Sequence, residues 1–417
     1  MSVLQTKYFP TVEAIKTAAE KLKGIAAVSP LEEHSRFSKK YNCKILFKRE
    51  DLQQVRSYKI RGAYNKISSL DSEETKNGII CASAGNHAQG VALSCRLLKI
   101  KGKIFMPAPT PNQKVEQVKM FGQDFVEVVL VGDTFDDSYH KAIEECKQFG
   151  KPLVHPFNDP KVIEGQGTVG LEIVQQAKEN IDYIFIPVGG GGLASGLSSI
   201  VKGLSPKTKI IGVEPAGAPS MSKSISKGEV VQLEKIEKFV DGASVQRVGD
   251  LTFEICNKNL DVMTTVHEGK ICQTILEMYN KDAIVAEPAG VMSIAALDEF
   301  KDEIKGKTVV CLVSGSNNDI TRTAEIKERA LLYANLKHYF IIKFPQRPGA
   351  LREFVVDMLG PKDDITHFEY TKKVNRENDV AVVGIQLKSQ DDLQPLITKL
   401  KKHNFFGDYL NDKPELF

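Results

Sequence analysis

Short apolar segments alternate with amphipathic segments over most of the chain, from about Cys43 to Ser314. The intervening segments, such as HAQGVALSCRLLK and PNQKVEQVKMFG, carry apolar residues at helical spacing. Strands that alternate with helices predict an α/β architecture, with parallel sheets covered by helices on both faces. The strand-like segments are, in order, CKILFKRE, NGIICAS, KGKIFMPA, DFVEVVLV, IDYIFIPV, TKIIGVEP and KTVVCLVSG. Because ligands bind at the carboxyl ends of such strands, we expect functional residues directly after these segments.

The C-terminal part of the chain has a different pattern. Strand-like KHYFIIKFP is followed by helical ALREFVVDML, strand-like ITHFEYTKK and VAVVGIQLK, helical DDLQPLITKLKKH and a last short strand in FGDYL. This βαββαβ order predicts a ferredoxin-like unit at 337–412. We expect a helical linker at 326–336 between this unit and the body of the chain at 1–325.

Composition and charge narrow the class of protein. The 417 residues carry 56 Lys and Arg against 53 Asp and Glu, without the basic excess that is typical of nucleic-acid binding. The N-terminal segment lacks a secretory apolar core, and no apolar run approaches the roughly 20 residues that span a bilayer. Seven widely spaced Cys residues without a C-x-x-C pair argue against a disulfide framework and a zinc site. We expect a cytoplasmic protein that binds neither nucleic acid nor membrane and has no metal site.

A run of glycines follows the strand-like segment IDYIFIPV. Gly189, Gly190, Gly191, Gly192 and then Leu193 lead into the helical segment ASGLSSIVKG. Because glycine has no Cβ, the backbone can curl round an anion and turn its N–H groups inward, and the helix adds the positive end of its dipole. The pattern predicts a phosphate site. It lacks the Gly-Lys-Ser/Thr ending of a Walker loop.

The same loop is compatible with a dinucleotide site. Gly189, Gly191 and Ala194 fit the pattern G-x-G-x-x-A. Glu214 ends the next strand-like segment about 20 residues on, where a dinucleotide enzyme binds ribose. On this loop alone, a nicotinamide-dependent oxidoreductase and a pyridoxal-phosphate enzyme are both open, as is a tight turn without a ligand.

Lys59 lies in SYKIRGA, at the predicted junction between the strand CKILFKRE and a helix. A lysine amine has an ordinary pKa near 10.4 and becomes a nucleophile when burial or nearby positive charge lowers that pKa. Arg61 and Gly62 beside Lys59 offer such a setting, although most lysines are solvated surface charges. Its neighbours alone leave Lys59 a candidate.

Two further polar loops follow strand-like segments. Ser83, Ala84, Gly85, Asn86 and His87 form a small-residue turn before a helix, which suits a carboxylate. The Asn86 amide can both donate and accept hydrogen bonds, and His87 is a candidate proton carrier. Helix capping by Ser83 or Asn86 would explain the same residues.

The third loop follows KTVVCLV and reads Ser314-Gly315-Ser316-Asn317-Asn318. A hydroxyl at a strand end can hydrogen-bond a ring nitrogen, and an ordinary capping turn has the same composition.

Taken together, the motifs SYKIRGA, SAGNHAQG, GGGGLASG and SGSNND resemble, in this order, those of pyridoxal-phosphate enzymes of fold type II. Together with KREDLQ before the lysine and DGASV at 241–245, they resemble the threonine dehydratases over the whole chain. The resemblance implies a catalytic domain of two parallel-sheet α/β lobes, as in the tryptophan synthase β subunit, with the smaller lobe at about 53–155. The C-terminal unit, with RPGAL at its first strand-to-helix turn, resembles ACT-like regulatory domains.

The resemblance also implies a role for each loop. Lys59 would bind the cofactor as a Schiff base, Asn86 its 3′-hydroxyl and Ser314 its pyridine nitrogen. The phosphate would lie on the glycine loop formed by Gly189, Gly190, Gly191, Gly192 and Leu193. The substrate carboxylate would lie on Ser83, Gly85 and His87.

The implied reaction is the pyridoxal-phosphate-dependent β-elimination of L-threonine to 2-oxobutanoate and ammonia, the first step of isoleucine biosynthesis. Serine dehydratase or racemase and threonine synthase share these loops, so L-serine is a further possible substrate. The ACT-like unit implies inhibition by isoleucine, with valine opposing it, and a homotetramer. A nicotinamide oxidoreductase and a non-catalytic amino-acid sensor are the alternatives from other classes.

Overall fold

The computed structural model describes residues 8–370 and 378–413, and the chain divides between Ile320 and Thr321 into two compact units. The first unit is α/β. Its strands are, in chain order, β1 (Leu31–Glu33), β2 (Lys44–Arg49), β3 (Ile79–Ala82), β4 (Gly102–Met106), β5 (Val126–Leu130), β6 (Tyr183–Pro187), β7 (Lys209–Pro215), β8 (Val262–Val266) and β9 (Thr308–Val313).

Helices connect these strands. They are α1 (Val12–Lys21), α2 (Ser35–Tyr41), α3 (Lys59–Ile67), α4 (Ser72–Thr75), α5 (Asn86–Leu98), α6 (Asn112–Gly122), α7 (Phe135–Phe149), α8 (Pro160–Gln176), α9 (Gly192–Leu204), α10 (Ser220–Lys227), α11 (Asp250–Asn259), α12 (Glu268–Asp282) and α13 (Pro288–Ala295). Of the helices in the described part of the chain, none is long and apolar enough to cross a membrane.

The larger sheet has the strand order β1-β2-β9-β6-β7-β8. Its pairs are parallel except for β1, which runs antiparallel to β2 at one edge. Every residue of β6 and of β9 is buried, because helices cover both faces of a parallel sheet. The central strands therefore appear in the sequence as continuous apolar runs.

The smaller sheet has the order β3-β4-β5, all parallel, and is inserted in the chain between β2 and β6. It has its own apolar core, in which Val55 is the first buried residue and Val154 the last. A second core lies on the larger sheet and includes Ile184, Leu197 and Val310. The first unit thus contains two parallel-sheet lobes, as the sequence predicted.

The second unit contains α14 (Thr323–Tyr333), β10 (Lys337–Pro345), α15 (Ala350–Glu353), β11 (Asp364–Tyr370), β12 (Asn378–Gln386), α16 (Leu393–Lys402) and β13 (Phe406–Tyr409). A π-helical turn at Phe354–Met358 extends α15. The four strands form an antiparallel sheet in the order β11-β12-β10-β13. From β10 onward the element order is βαββαβ. The part of the predicted strand ITHFEYTKK after Tyr370 lies outside the described residues.

The limits predicted for the domains, 1–325, 326–336 and 337–412, stay a prediction, as does the smaller lobe at 53–155. The described chain supports them in two respects. The helix α14 covers most of the predicted linker, and the apolar core of the smaller lobe runs from Val55 to Val154.

Candidate active site

The four loops singled out from the sequence follow the carboxyl ends of four strands. Ser83 comes directly after β3, and Ser314 directly after β9. Gly189 follows β6 after one residue, and Lys59 follows β2 after a short 3-10 turn. Parallel strands with helices between them bring these ends to one side of each sheet, where ligands bind.

Lys59 is the first residue of α3, and its carbonyl packs against Gly90 on α5. Its amine, Nζ, donates a hydrogen bond to the carbonyl oxygen of Pro156 at 3.0 Å. Burial lowers the pKa of this amine to about 8, and the nearby Glu287 carboxyl acts in the opposite direction. An amine with this pKa is partly unprotonated at neutral pH, which a nucleophile or base requires.

Arg61 does not contribute to this shift as the sequence suggested. Its guanidinium is buried and donates to Glu50 at 2.8 Å and to Glu172 at 2.6 Å. Two carboxylates therefore neutralise it on the side of α3 that packs against α8. Arg61 anchors the helix that carries Lys59, and desolvation, rather than neighbouring positive charge, lowers the lysine pKa.

The glycine loop (189–193) leads into the 13-residue helix α9. Gly191 has φ +91°, a left-handed conformation that other residues adopt only with strain. A Cβ added to Gly190 would lie 2.3 Å from the Phe157 ring, and one on Gly192 would lie 2.9 Å from the Phe157 backbone. The loop is therefore closely covered, and its backbone N–H groups precede the positive end of a long helix.

A segment at 154–158, which sequence analysis missed, joins the lysine to the glycine loop. Pro156 accepts the hydrogen bond from Lys59, and the next residue, Phe157, packs on Gly190. The lysine amine and the glycine loop therefore contact adjacent residues of the same segment. Asn158 Oδ1 accepts from the backbone N–H of Leu251 at 3.0 Å and fixes the far end of the segment. In the sequence, the segment at 154–158 shows only as a short polar turn that follows two apolar residues and precedes the helix beginning at Pro160.

The loop at 83–87 is open where the glycine loop is covered. Ser83 Oγ accepts from the backbone N–H of Gly85 at 3.3 Å. A Cβ added to Gly85 would meet no atom within 4 Å. The loop leads into α5, another 13-residue helix. It therefore has free space directly before a helix N-terminus.

His87 is buried at the start of α5. Its ring nitrogen Nε2 lies 2.8 Å from the carbonyl oxygen of Val154, which can only accept, so Nε2 carries the proton. Burial, with the nearby Lys59 charge, lowers the pKa of His87 to about 3. The imidazole is neutral at physiological pH, and the geometry does not support the proton transfer that the sequence suggested for it.

The loop that begins at Ser314 pairs with the segment before Lys59. The backbone N–H of Tyr58 donates to the Ser314 carbonyl at 3.3 Å, and that of Ser316 donates to the Arg56 carbonyl at 2.9 Å. Ser314 itself is buried, and its Oγ lies 3.3 Å from the carbonyl oxygen of Ala289. These contacts hold the serine hydroxyl and the lysine in a fixed relation.

Glu214, the candidate ribose ligand of the dinucleotide alternative, is fully buried. Its carboxyl accepts from the backbone N–H groups of Met221 at 2.6 Å and Ser222 at 2.8 Å, and from the Ser222 hydroxyl at 2.7 Å. Burial raises its pKa to about 7. These contacts tie Glu214 to the start of α10 and leave the dinucleotide alternative without its acidic partner.

The residues fit pyridoxal phosphate. A loop whose glycines leave no room for a Cβ suits a phosphate, and a partly deprotonated amine next to it suits an aldehyde. Asn86 uses one N–H to bond Glu287 at 2.6 Å, which leaves the other for a cofactor hydroxyl. The roles of the individual site residues stay predictions.

Comparisons with known proteins agree with this site. Residues 23–315 match the family model for pyridoxal-phosphate dependent enzymes. Residues 328–415 match the model for the C-terminal regulatory domain of threonine dehydratase. The fold and the site therefore define a pyridoxal-phosphate dependent enzyme of fold type II with a regulatory domain.

The chain is 56% identical to the biosynthetic L-threonine dehydratase IlvA of Halalkalibacterium halodurans over 97% of this chain and 98% of that one. It is 53% identical to IlvA of Bacillus subtilis over 97% and 96%. The chain belongs to the family of biosynthetic threonine dehydratases.

Solved structures give the same picture. The processed threonine deaminase isoform 2 of Solanum lycopersicum superimposes with a TM-score of 0.73 at 40% identity, covering 76% of this chain and 87% of that one. The serine racemase of Dictyostelium discoideum has a TM-score of 0.69 at 32% identity and covers 74% and 99%.

Proposed function

We propose that this chain converts L-threonine to 2-oxobutanoate and ammonia, the β-elimination that opens isoleucine biosynthesis. The observation that carries the proposal is the position of Lys59. Its amine, whose pKa is lowered to about 8, donates a hydrogen bond to the Pro156 carbonyl, and the adjacent Phe157 covers the glycine loop. A reactive amine next to a phosphate cradle is the arrangement that a pyridoxal-phosphate enzyme requires.

Each wall of the site binds a different part of the cofactor. Lys59 holds the cofactor, the glycine loop binds its phosphate, Asn86 donates to its 3′-hydroxyl, and Ser314 bonds its pyridine nitrogen. When bound, pyridoxal phosphate acts as a sink for the electrons released at the substrate Cα. A neutral serine at Ser314 would not force a positive charge on the ring nitrogen, and this would favour prompt elimination.

Lys59 is also the base. Its burial keeps a fraction of the amine unprotonated near neutral pH, so that it can remove the Cα proton of threonine. The Pro156 carbonyl accepts a hydrogen bond from the free amine and would hold it in place while the substrate, rather than Lys59, is joined to the cofactor.

The substrate carboxylate lies on the loop at 83–87. The open space at Gly85 and the N-terminus of α5 offer room and backbone donors for it. Ser83, Gly85 and His87 are the proposed contacts. His87 would contact the carboxylate through its backbone N–H, because its ring is buried and hydrogen-bonded to the Val154 carbonyl.

The regulatory unit binds the effector, which we take to be isoleucine, with valine opposing it. A cavity of about 270 Å³ is lined by Arg347, Leu351, Phe368 and Tyr370, among others. A guanidinium suits the carboxylate of an amino acid, and the apolar walls suit its branched side chain. We place the effector there.

The buried carboxyl of Asp379 supports this cavity. It accepts from the Tyr370 hydroxyl at 2.9 Å and from the Gln346 amide at 3.1 Å, and both of these residues line the cavity. Asp379 therefore fixes two of the walls.

The effector site is tested by titrating the full-length protein with isoleucine. We expect oxo-acid formation from threonine to fall, and Arg347→Ala to raise the half-inhibitory concentration about tenfold, the loss of one charge-assisted hydrogen bond. Arg352→Ala is the matched control, because Arg352 is exposed on α15 and does not line the cavity. Unchanged activity of the wild type across a wide isoleucine range would remove isoleucine as effector.

We propose a cytoplasmic homotetramer. The regulatory unit exposes Val355, Val356 and Val380, which do not line the effector cavity, and exposed apolar side chains in a small domain support contacts between copies. Sedimentation velocity at several concentrations tests this, and a monomer throughout would contradict it.

The reaction is tested by measuring 2-oxo-acid and ammonia formation from threonine and from serine. Threonine is expected to be the better substrate. D-serine formation from L-serine without oxo-acid would instead favour a racemase, and amino-acid binding without ammonia release would favour a sensor.

A further inference from the structure

Glu287 is a buried carboxyl in the site that neither the sequence motifs nor the proposed roles include. It occupies the N-cap position of α13, but its side chain makes no capping hydrogen bond to that helix. Only 7% of the residue is exposed. Its Oε1 accepts a hydrogen bond from Asn86 Nδ2 at 2.6 Å.

A chain of directed hydrogen bonds ends at this carboxyl. The first member of this series of hydrogen bonds is the backbone carbonyl of Val55, which can only accept. The side-chain atom of Asn317 that lies 2.9 Å from it must therefore be the amide nitrogen. The same nitrogen donates to Asn86 Oδ1 at 2.6 Å. The orientation of the Asn86 amide is therefore fixed, with its oxygen toward Asn317 and its nitrogen toward Glu287.

This orientation has a consequence for Asn86. Its oxygen and one of its two N–H groups are occupied, and the remaining N–H is the free donor. Without an acceptor at Glu287, the single hydrogen bond from Asn317 to the Asn86 oxygen would be the remaining contact that opposes a turn of the amide. A turned amide would present an oxygen where a donor is needed.

The charges round Glu287 come from several elements. Asp241, from the loop before α11, and Lys114, on α6, form an ion pair with each other and act on Glu287 in opposite directions. Lys59 and Tyr58, at the start of α3, also feel its charge. Burial is the largest effect, and it raises the pKa of Glu287 to about 7.

We propose that Glu287 is a positioning residue that fixes the Asn86 amide as a hydrogen-bond donor toward the cofactor. The inference rests on the proposed function, in which Asn86 bonds the 3′-hydroxyl of pyridoxal phosphate. Glu287 acts through Asn86 and need not touch the cofactor. Its charge also sustains the pKa of the Lys59 amine, so that the loss of this carboxyl lowers that pKa further.

The experiment is a double-mutant cycle on cofactor affinity. Glu287→Ala, Asn86→Ala and the double variant are freed of cofactor and titrated with pyridoxal phosphate. Each single variant is expected to bind it about tenfold more weakly, as for the loss of one buried hydrogen bond. The double variant is expected to lose no more than either single one, because the two residues act in series. Additive losses, or no loss in Glu287→Ala, would overturn the proposal.

A second readout does not need the cofactor. In cofactor-free protein, the pH midpoint for labelling of Lys59 by an amine-reactive reagent, followed by mass spectrometry, is expected to fall in Glu287→Gln. This variant keeps the size of the side chain and tests the proposal even if the alanine variant does not fold. Glu268→Gln is the control, because Glu268 is also buried but bonds the backbone of Gly217 elsewhere. An unchanged midpoint in Glu287→Gln would contradict the charge effect on Lys59. Binding of pyridoxal phosphate by Glu287→Gln as weak as that by Glu287→Ala would contradict the positioning role, because the glutamine amide keeps an acceptor for Asn86.

The two levels of failure are distinguishable. If the wild type neither retained pyridoxal phosphate nor formed an oxo acid from threonine, the proposed function would fail. If the wild type did both and the Glu287 variants bound the cofactor as tightly as the wild type, the inference alone would fail.

Discussion

Two strand-to-helix loops of the first unit have opposite surroundings. The glycine loop and the loop at 83–87 both begin with three small residues, and both lead into a 13-residue helix. The glycine loop is covered by Phe157, so that a Cβ on Gly190 has no room. Gly85 faces empty space.

With the ligands that we propose for the two loops, the difference in cover would correspond to how long each ligand stays bound. A cofactor phosphate remains in place through many turnovers, and a closely covered loop retains it. A substrate carboxylate must enter and leave in each turnover, which requires an open loop. Glycine therefore allows the close approach of Phe157 in one loop and leaves open space for a ligand in the other. Amino-acid composition alone does not distinguish the two loops.

The largest effect is expected from Gly190→Ala. The added methyl would collide with the Phe157 ring, and overpacking of this kind costs about 1–3 kcal/mol when the surroundings cannot move. We expect the purified variant to contain little pyridoxal phosphate and to melt at a lower temperature. Full cofactor content with an unchanged melting temperature would show that the loop is not closely covered.

Gly85→Ala is the matched substitution in the open loop. The methyl meets no protein atom but occupies space that we assign to the substrate carboxylate. We expect normal cofactor content and a KM for threonine raised about tenfold, for a loss of about 1.4 kcal/mol in substrate binding. A variant that lost cofactor but kept its KM would reverse the assignment of the two loops.

At mildly acidic pH, a smaller effect is expected on the stability of the fold. The pKa of His87 is about 3 in the folded protein, below its ordinary value of about 6.5. Between these two values the unfolded chain binds more protons, so His87 makes the fold less stable as the pH falls below about 6.5. His87→Gln, which retains a donor for Val154, should therefore lose less stability than the wild type on acidification. Equal slopes in pH-dependent chemical denaturation would contradict a buried neutral imidazole.

Much of the fold follows from the sequence because parallel strands covered on both faces are continuous apolar runs. Ser314 lies directly after such a run, Asn86 a few residues after one, and Lys59 beyond the 3-10 turn that follows another, so their positions could be predicted as well. The antiparallel edge strand β1, whose sequence is LEE, has no apolar pattern that predicts it.

Other parts of the site could not be predicted in this way. The contribution of Pro156 is a backbone carbonyl, which any residue has, and Phe157 is an ordinary apolar residue until it packs on Gly190. Glu287 precedes a proline at a helix start, where an acidic residue is common and normally solvated. Their roles depend on contacts between segments that are distant in the sequence.

The central claim, that Lys59 anchors the cofactor next to the glycine loop, is tested most directly by borohydride reduction of the purified protein and peptide mapping. The account predicts that pyridoxyl phosphate is fixed to Lys59, and that Lys59→Ala neither carries the label nor forms 2-oxobutanoate from threonine. A label on a different lysine, or full turnover by Lys59→Ala, would contradict it.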